Sequence, residues 1–459
     1  MSGDASQRWR GAFGSARNQC PEVGLSALEV SQLRVLVIGA TGLIGSAVAA
    51  HLAAHGHMVV AASRSGRSLG LTPSEPIAID LATANAGQWR PVLDGIDAVV
   101  NCAGILQDSP AESTQDVHVN GLSELLKACQ SAGIRRFVHL SAAGVHRDTP
   151  SAFSQTKLRG EQLIQQHDLD WIILRPSVVI GPAAYGGSAL VRGLASLPVL
   201  PVMPNTGALQ PVHLSDVVLA VAFFLRSDAP SRQAYDLAGP ETFSFHGLVQ
   251  LFRKWLRWPR QKPLRLPAIM ATATYSAGDW LAYLGWQSPI STTARKEIVR
   301  GAVGDSEPLA KLGLRPRSLA AELSRQPASV QERWFAAMYV IKPALFIVVA
   351  LFWILTGVIA LGPGWHYGMG LMAEGGVTEE IAALTVVAGA AADIIIGLMI
   401  AYRPTARYGL WAAILIALAY AIIGTILVPR LWADPLGPML KIWPVIMLHL
   451  VALAILEDR

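Results

Sequence analysis

Residues Arg34–Val60 read RVLVIGATGLIGSAVAAHLAAHGHMVV. The apolar run Val35–Ile38 has the length and β-branched content of a buried parallel strand. It leads directly into Gly39-Ala-Thr41-Gly42-Leu43-Ile44-Gly45. A helical pattern follows, and Met58–Ala62 reads as a second strand. A glycine turn between strand and helix brings backbone N–H groups and a helix N-terminus against a pyrophosphate. The flanking strand–helix–strand order makes this a dinucleotide cradle rather than an incidental tight turn. Gly39 suits the turn, Gly42 the close approach of backbone to phosphate, and Gly45 the packing of helix on sheet.

The glycine spacing is Gly-x-x-Gly-x-x-Gly, with Thr41 inside it. In this the segment resembles the short-chain dehydrogenase/reductase superfamily, in its extended and atypical, epimerase/dehydratase-like branches. Strands and helices alternate through most of residues 33–330, as a doubly wound parallel α/β sheet requires. Strands are expected at Pro76–Asp80, Ile96–Cys102, Arg136–Leu140 and Trp171–Leu174, and helices at Val117–Ala132 and Thr156–His167. From about Pro182 the alternation loosens into a small substrate-facing lobe.

The resemblance carries residue roles with it. Asp80-Leu81 falls where such proteins contact adenine. Asn101-Cys102-Ala103-Gly104 looks like the motif after the fourth strand. Asn120 resembles the helix asparagine that braces the active site. Arg175-Pro176-Ser177 resembles the motif whose backbone meets the nicotinamide end. Pro211-Val-His-Leu-Ser-Asp216 matches a late segment of extended members.

Cofactor choice rests on the end of the second strand, Ala62-Ser63-Arg64-Ser65-Gly66-Arg67. It offers no local acid for the ribose hydroxyls. Ser63 and Arg64, helped by Arg67, suit a 2′-phosphate through charge-assisted hydrogen bonds. NADP(H) is therefore expected over NAD(H).

The superfamily's chemistry, as the resemblance implies it, uses a Ser and a Tyr-x-x-x-Lys pair. Ser141 and Lys157 stand at the Ser and Lys positions. Four residues before Lys157 stands Phe153, which has no proton to give. Tyr185 and His146 are the alternative donors. The site resembles the degenerate ones of complex I accessory subunits and related atypical reductase-like proteins. Two readings stay open: an oxidoreductase acting on a lipophilic carbonyl or quinone, and a silent NADP(H)-binding structural or redox-sensing subunit of a membrane complex. A weaker third is a small transporter gated by nucleotide.

Composition divides the 459-residue chain. It is 52% hydrophobic and only 15% charged, with a formal net charge of +5. Basic residues are dispersed, without the aromatic–basic ribbon of a nucleic-acid surface, so no nucleic-acid partner is expected. Cys20, Cys102 and Cys129 show no metal or disulfide spacing, which fits a reducing compartment. Residues 1–32 lack a continuous apolar core and read as a disordered extension.

Beyond a polar linker, Ser318–Arg333, four apolar segments follow: Met338–Leu361, Glu380–Tyr402, Tyr408–Val428 and Pro438–Leu456. Each has roughly the 20 residues a spanning helix needs. Residues 331–459 look like the DoxX-like four-helix membrane family, chiefly through Gly389-Ala-Ala-Ala-Asp393-Ile-Ile-Ile-Gly397. The loop 362–379 carries acids without Lys or Arg, whereas Arg403 and Arg407 follow the second span. The positive-inside rule then puts the nucleotide domain and Arg459 in the cytoplasm, on a bacterial-type inner membrane. Asp393 in mid-span is expected to face the bundle interior, with His449 or Lys342 as possible partners. Gly389, Ala390 and Gly397 allow close helix contact.

Overall fold

The computed structural model describes residues 32–110, 112–202, 205–265, 267–286 and 289–456. The expected extension, apart from Gln32, and the terminal Arg459 lie outside the described residues.

The first half alternates as its pattern requires. Strand β1 (Arg34–Ile38) is followed by α1 (Leu43–Ala54), β2 (Met58–Ser63), β3 (Glu75–Ala78), α2 (Ala86–Val92) and β4 (Ala98–Asn101). A π-turn at Asp116–Asn120 runs into α3 (Gly121–Ser131), then β5 (Arg136–Leu140), α4 (Ala152–Gln165) and β6 (Asp170–Pro176). The looser region supplies β7 (Val179–Ile180), α5 (Gly186–Ser196), β8 (Val199–Val202), β9 (Val212–His213), α6 (Leu214–Phe224) and β10 (Gln233–Leu237).

Seven strands form one parallel sheet in the order β10-β6-β5-β4-β1-β2-β3. The order reverses between β1 and β4, the switch point at which open α/β sheets bind ligands. Both sheet faces are covered, which explains the continuous apolar strands. Val35, Val37 and Val100 pack under α1 and α6, whereas Leu36, Val99 and Phe137 pack under α2 and α3. Strand β10 at the sheet edge was not anticipated from sequence. It is only five residues long and follows the polar Ser231-Arg232.

The small lobe adds α7 (Phe245–Trp255), β11 (Lys262–Arg265), α8 (Ala268–Tyr283), α9 (Thr292–Arg300), α10 (Glu307–Lys311) and α11 (Leu319–Arg325). β11 pairs with β8 and β7 with β9. The stretch expected as a polar linker is folded. Leu319 and Leu323 of α11 are buried, and α12 (Val330–Leu361) already begins inside it. Ser329 and Glu332 close that helix start in a capping box.

The bundle comprises α12, α13 (Trp365–Glu374), α14 (Glu379–Ala401), α15 (Ala406–Leu427) and α16 (Ile442–Ile455). Among the described residues three helices, α12, α14 and α15, are long and apolar enough to cross a membrane. The fourth expected span is shorter than its apolar stretch. Gly437, at φ 59°, and Pro438 hold residues before Ile442 in turns, leaving a helix of 14 residues. That is roughly 21 Å at 1.5 Å per residue, against a hydrocarbon core of about 30 Å.

Helices α12 and α14 meet closely through their glycines. A Cβ on Gly397 would lie 2.8 Å from the Ala350 carbonyl oxygen, and one on Gly357 would reach the Ala390 carbonyl. Gly389 instead faces the Tyr420 hydroxyl. Asp393 is buried, as expected, but its partner is Tyr420, whose hydroxyl donates to Oδ1 at 2.9 Å. His449 is occupied elsewhere: its Nε2 accepts from Trp353 at 2.8 Å, and Nδ1 bonds the Val445 carbonyl.

Candidate functional site

The cradle forms where β1 ends. Gly39 adopts φ 73°, and its N–H donates to the Ala62 carbonyl at 3.0 Å. A side chain there would meet Ala103 Cα and N at 3.0 Å, so β1 and β4 approach through this glycine. Gly42 caps α1 without any side-chain acceptor, and the first turn holds no acid. The amide-rich end formed by Leu43, Ile44 and Gly45 therefore retains its affinity for an anion. A Cβ on Gly45 would overlap the Gly39 carbonyl oxygen, which fixes this helix tightly against the turn. Thr41 is exposed at the crest.

The end of β2 answers the cofactor question less simply than its local sequence. Ser63 is buried, and its Oγ finds no hydrogen-bond partner among the described residues. Arg64 is half exposed and ion-paired with Glu112, which comes from the loop after β4. An acid is thus present beside Arg64, although none lies in the local strand end. The orphaned Ser63 hydroxyl and the open end of α1 together fit a dinucleotide.

The remaining motif residues close the floor. The Asn101 side chain accepts from the Ala103 N–H at 3.0 Å and lies 3.3 Å from His139. Asp80 closes its own turn by accepting from the Ala82 N–H at 3.0 Å. Leu81 is buried, and a Cβ on Gly121 would overlap its carbonyl. The β6 terminus at Pro176 accepts from the Ala143 N–H at 3.0 Å, so the chain after Ser141 runs beside it.

Lys157 is buried beneath this floor. Its Nζ donates to the Leu140 carbonyl at 2.8 Å, and a Cβ on Gly104 would lie 3.1 Å from it. Burial lowers Lys157 to about 8, against the opposing pull of Glu161 and Cys102. Burial likewise pushes the Cys102 thiol up to about 12, with Lys157 acting the other way.

Asn120 does not brace the site. It is exposed and donates to Asp116 at 2.7 Å. The π-turn rotates His118 inward in its place, and His118 is buried. The Thr156 hydroxyl donates to the Ala152 carbonyl at 2.8 Å, leaving it to accept from His118 Nδ1 at 2.9 Å. Nε2 then accepts from the Ile105 N–H at 3.2 Å. This arrangement fixes one neutral tautomer. Burial, then Lys157 and His139, lower His118 to about 2. It is held neutral, with both ring nitrogens engaged. Phe153 packs edge-on against it, ring centres 5.8 Å apart.

Ser141 belongs to a different set of partners. Its Oγ donates to Glu161 Oε1 at 2.5 Å. Arg175 grips the same carboxylate with Nε at 3.0 Å and Nη2 at 2.7 Å. Arg175 lies 3.9 Å from Asp236, which lies 4.0 Å from His146 Nδ1. Burial first, and Arg175 second, lower the His146 imidazole. Of the two alternative donors, His146 lies near this group without a hydrogen bond to Asp236, whereas Tyr185 is 42% exposed at the start of α5. Glu161 stands one helical turn beyond Lys157, an i, i+4 signal present in the sequence. Asp236 sits on the unanticipated β10 and had no such signal.

A glycine cradle at a switch point, over a buried lysine and beside an apolar helical bundle, defines the class: an NAD(P)-binding Rossmann domain joined to a membrane domain. Residues 39–193 match the NAD(P)H-binding family, and residues 350–450 match the DoxX-like family. The chain is 27% identical over 256 residues to the mitochondrial NADH dehydrogenase [ubiquinone] 1 alpha subcomplex subunit 9 of Arabidopsis thaliana, covering 53% of this chain and 63% of that protein. It is 24% identical over 204 residues to the ceramide reductase of Caulobacter vibrioides, covering 42% and 61%. The chain therefore spans under two thirds of the length of each. The Bordetella bronchiseptica enzyme WbmG, solved with NAD and UDP, superposes with a TM-score of 0.51 at 16% identity, over 64% of this chain and 94% of that one. This last likeness concerns the fold alone.

Proposed function

We propose that this chain is a membrane-seated NAD(P)(H)-dependent oxidoreductase interconverting the carbonyl and alcohol forms of a lipophilic compound or quinone. The observation that carries the reading is the Ser141–Glu161 hydrogen bond, clamped by Arg175, which offers a hydroxyl–carboxyl pair for proton transfer where Phe153 removes the usual donor. A bound nicotinamide supplies the hydride chemistry. The Ser141 hydroxyl exchanges the substrate-oxygen proton with Glu161, and Arg175 holds that carboxylate in line. Lys157, pinned under Gly104, places its charge for ribose hydroxyls. Phe153, backed by His118, keeps the pocket apolar. Arg64 and Ser63 favour NADP(H), with Arg64 exchanging Glu112 for the 2′-phosphate.

The nucleotide domain is assigned to the cytoplasmic side of a bacterial-type inner membrane. Arg403, in the loop after α14, donates its N–H to Leu284 of the small lobe and its guanidinium to Leu456. The basic loop, the nucleotide domain and the end of α16 thus share one side. Arg430, near the other end, is ion-paired with Glu374.

A second reading, an NADP(H)-binding structural or redox-sensing subunit of a membrane complex, is favoured by Phe153 itself and by the likeness to a complex I subunit. Full-length protein in nanodiscs separates the two. Blue-shifted NADPH fluorescence is expected under both. Steady NADPH oxidation with short-chain quinones or prenyl aldehydes, reduced about 10²-fold or more in Glu161→Gln, is expected under the first. NADPH binding without turnover on any acceptor overturns the first.

A further inference from the structure

Helix α8 carries an uncharged outward face that nothing in the Rossmann fold requires. Ile269, Trp280 and Tyr283 are 79%, 62% and 71% exposed. With Ala273 and Ser276 they follow the spacing i, i+4, i+7, i+11, i+14, which places them on one helical stripe. The opposite stripe, Tyr275, Gly278 and Ala282, is buried against the lobe. The helix is therefore apolar on both sides. The one charge along it, Asp279, is used to accept the Thr292 N–H at 3.0 Å. Large exposed apolar stripes mark interaction surfaces.

The position of α8 identifies what covers that stripe. Its C-terminal end is fastened to the bundle where α14 ends. The Leu284 carbonyl accepts from Arg403 at 2.9 Å, and Trp286 Nε1 donates to the Ala401 carbonyl at 2.8 Å. The Trp286 ring lies 4.7 Å from Phe346 of α12. This is the level at which apolar helices give way to polar loop, the depth preferred by Trp and Tyr. Arg403 lies 5.5 Å over Trp286, which puts a guanidinium at this level, where anionic headgroups lie.

We infer that α8 is an interfacial membrane helix, with its Ile269–Trp280–Tyr283 stripe immersed in the leaflet facing the nucleotide domain. The inference rests on the membrane reading of the bundle and deepens the proposed function. α9, which follows α8, is bonded to the rim of the site. Glu297 accepts from Ser151 at 2.5 Å at the start of α4, and Arg300 donates to the Ala143 carbonyl at 3.0 Å. The lipid-facing element is thereby joined to the segments that carry Phe153 and Ser141. A lipid-dissolved substrate of that site has its source in this leaflet.

The test uses full-length protein in phosphatidylcholine–phosphatidylglycerol nanodiscs. Cys20 and Cys102 are replaced, and spin labels are placed singly at Ile269→Cys, Trp280→Cys, Leu355→Cys and Arg90→Cys. Collision with oxygen and with a water-soluble nickel chelate is then measured. Severalfold higher oxygen-to-nickel ratios at 269, 280 and 355 than at 90 are expected. A label at 355 as nickel-accessible as that at 90 overturns the membrane reading of the bundle. A lipid-like ratio at 355, with a value at 269 or 280 matching that at 90, overturns the present inference and leaves the stripe to a protein partner.

Discussion

Gly42→Ala and Gly45→Ala separate the binding role of the cradle from its structural role. A Cβ on Gly42 meets only the Gly39 carbonyl oxygen, at 3.2 Å. Its φ of −80° suits any residue. The strain relaxes within a few tenths of an ångström, and the loss of a favourable N-cap costs about 1 kcal/mol. A domain of this size then melts about 2–4 °C lower. The added methyl nevertheless stands on the surface where backbone approaches phosphate. NADPH affinity is expected to fall about tenfold or more, equivalent to about 1.4 kcal/mol. Gly45→Ala differs because its Cβ overlaps the Gly39 carbonyl oxygen and lies 2.8 Å from the carbonyl carbon and 3.0 Å from Ala40 Cα. All three neighbours are backbone. Overpacking of this kind costs about 1–3 kcal/mol or more, so Gly45→Ala loses stability and binding together. Scanning fluorimetry and NADPH fluorescence titration of the full chain in nanodiscs read both quantities. Unchanged NADPH affinity in folded Gly42→Ala would refute the assignment of this turn as the phosphate cradle.

Lys157 makes stability depend on pH in a defined window. In the fold it loses its proton at about 8, whereas in the unfolded chain it keeps it to 10.5. Between those values the unfolded state binds more protons, so this group raises stability as pH rises from 8 to 10.5. The change is on the order of 3 kcal/mol. Lys157→Met should remove it, flattening the melting temperature measured across that window relative to the native chain; parallel profiles would contradict the burial argument. At the β2 end, Arg64→Ala should weaken NADPH about tenfold more than NADH, and Glu112→Ala should strengthen NADPH by freeing Arg64. Equal losses for both nucleotides in Arg64→Ala would remove the 2′-phosphate assignment.

The parts legible in sequence are those with local rules. Gly39 and Gly45 announce a turn that only glycine fits, Gly42 the approach of backbone to phosphate, and Val35–Ile38 a strand buried on both faces. Ser141, Phe153 and Lys157 are located by the resemblance to the superfamily's Ser and Tyr-x-x-x-Lys pattern, whose spacing is local to a strand end and a helix. The missed parts depend on long-range pairing. Glu112 reaches Arg64 across 48 residues, and Asp236 enters on an edge strand too short to show alternation. His118 displaced Asn120 because a π-turn shifts which residue faces inward, a rotation that 3.6-residue periodicity cannot express. The short α16 was overestimated because hydropathy counts apolar residues and not helical ones. Ser318–Arg333 looked like a linker from its charge, although Leu319, Leu323 and the Ser329–Glu332 box marked it as folded.

Helix α12 has a mechanical consequence. Its 32 residues run as one helix, with Pro343 inside it, from the small lobe into the bundle, about 48 Å at 1.5 Å per residue. Near its start, the Tyr339 ring fills the space that a side chain on Gly193 of α5 would need. A flexible tether of similar length would let the nucleotide domain tumble above the bilayer and meet lipid-borne molecules at random angles. A continuous helix packed against the lobe at one end and the bundle at the other restricts that rotational search. On the proposed membrane reading, every copy would present the same side to the lipid, and a compound dissolved there would reach the domain by diffusion in two dimensions.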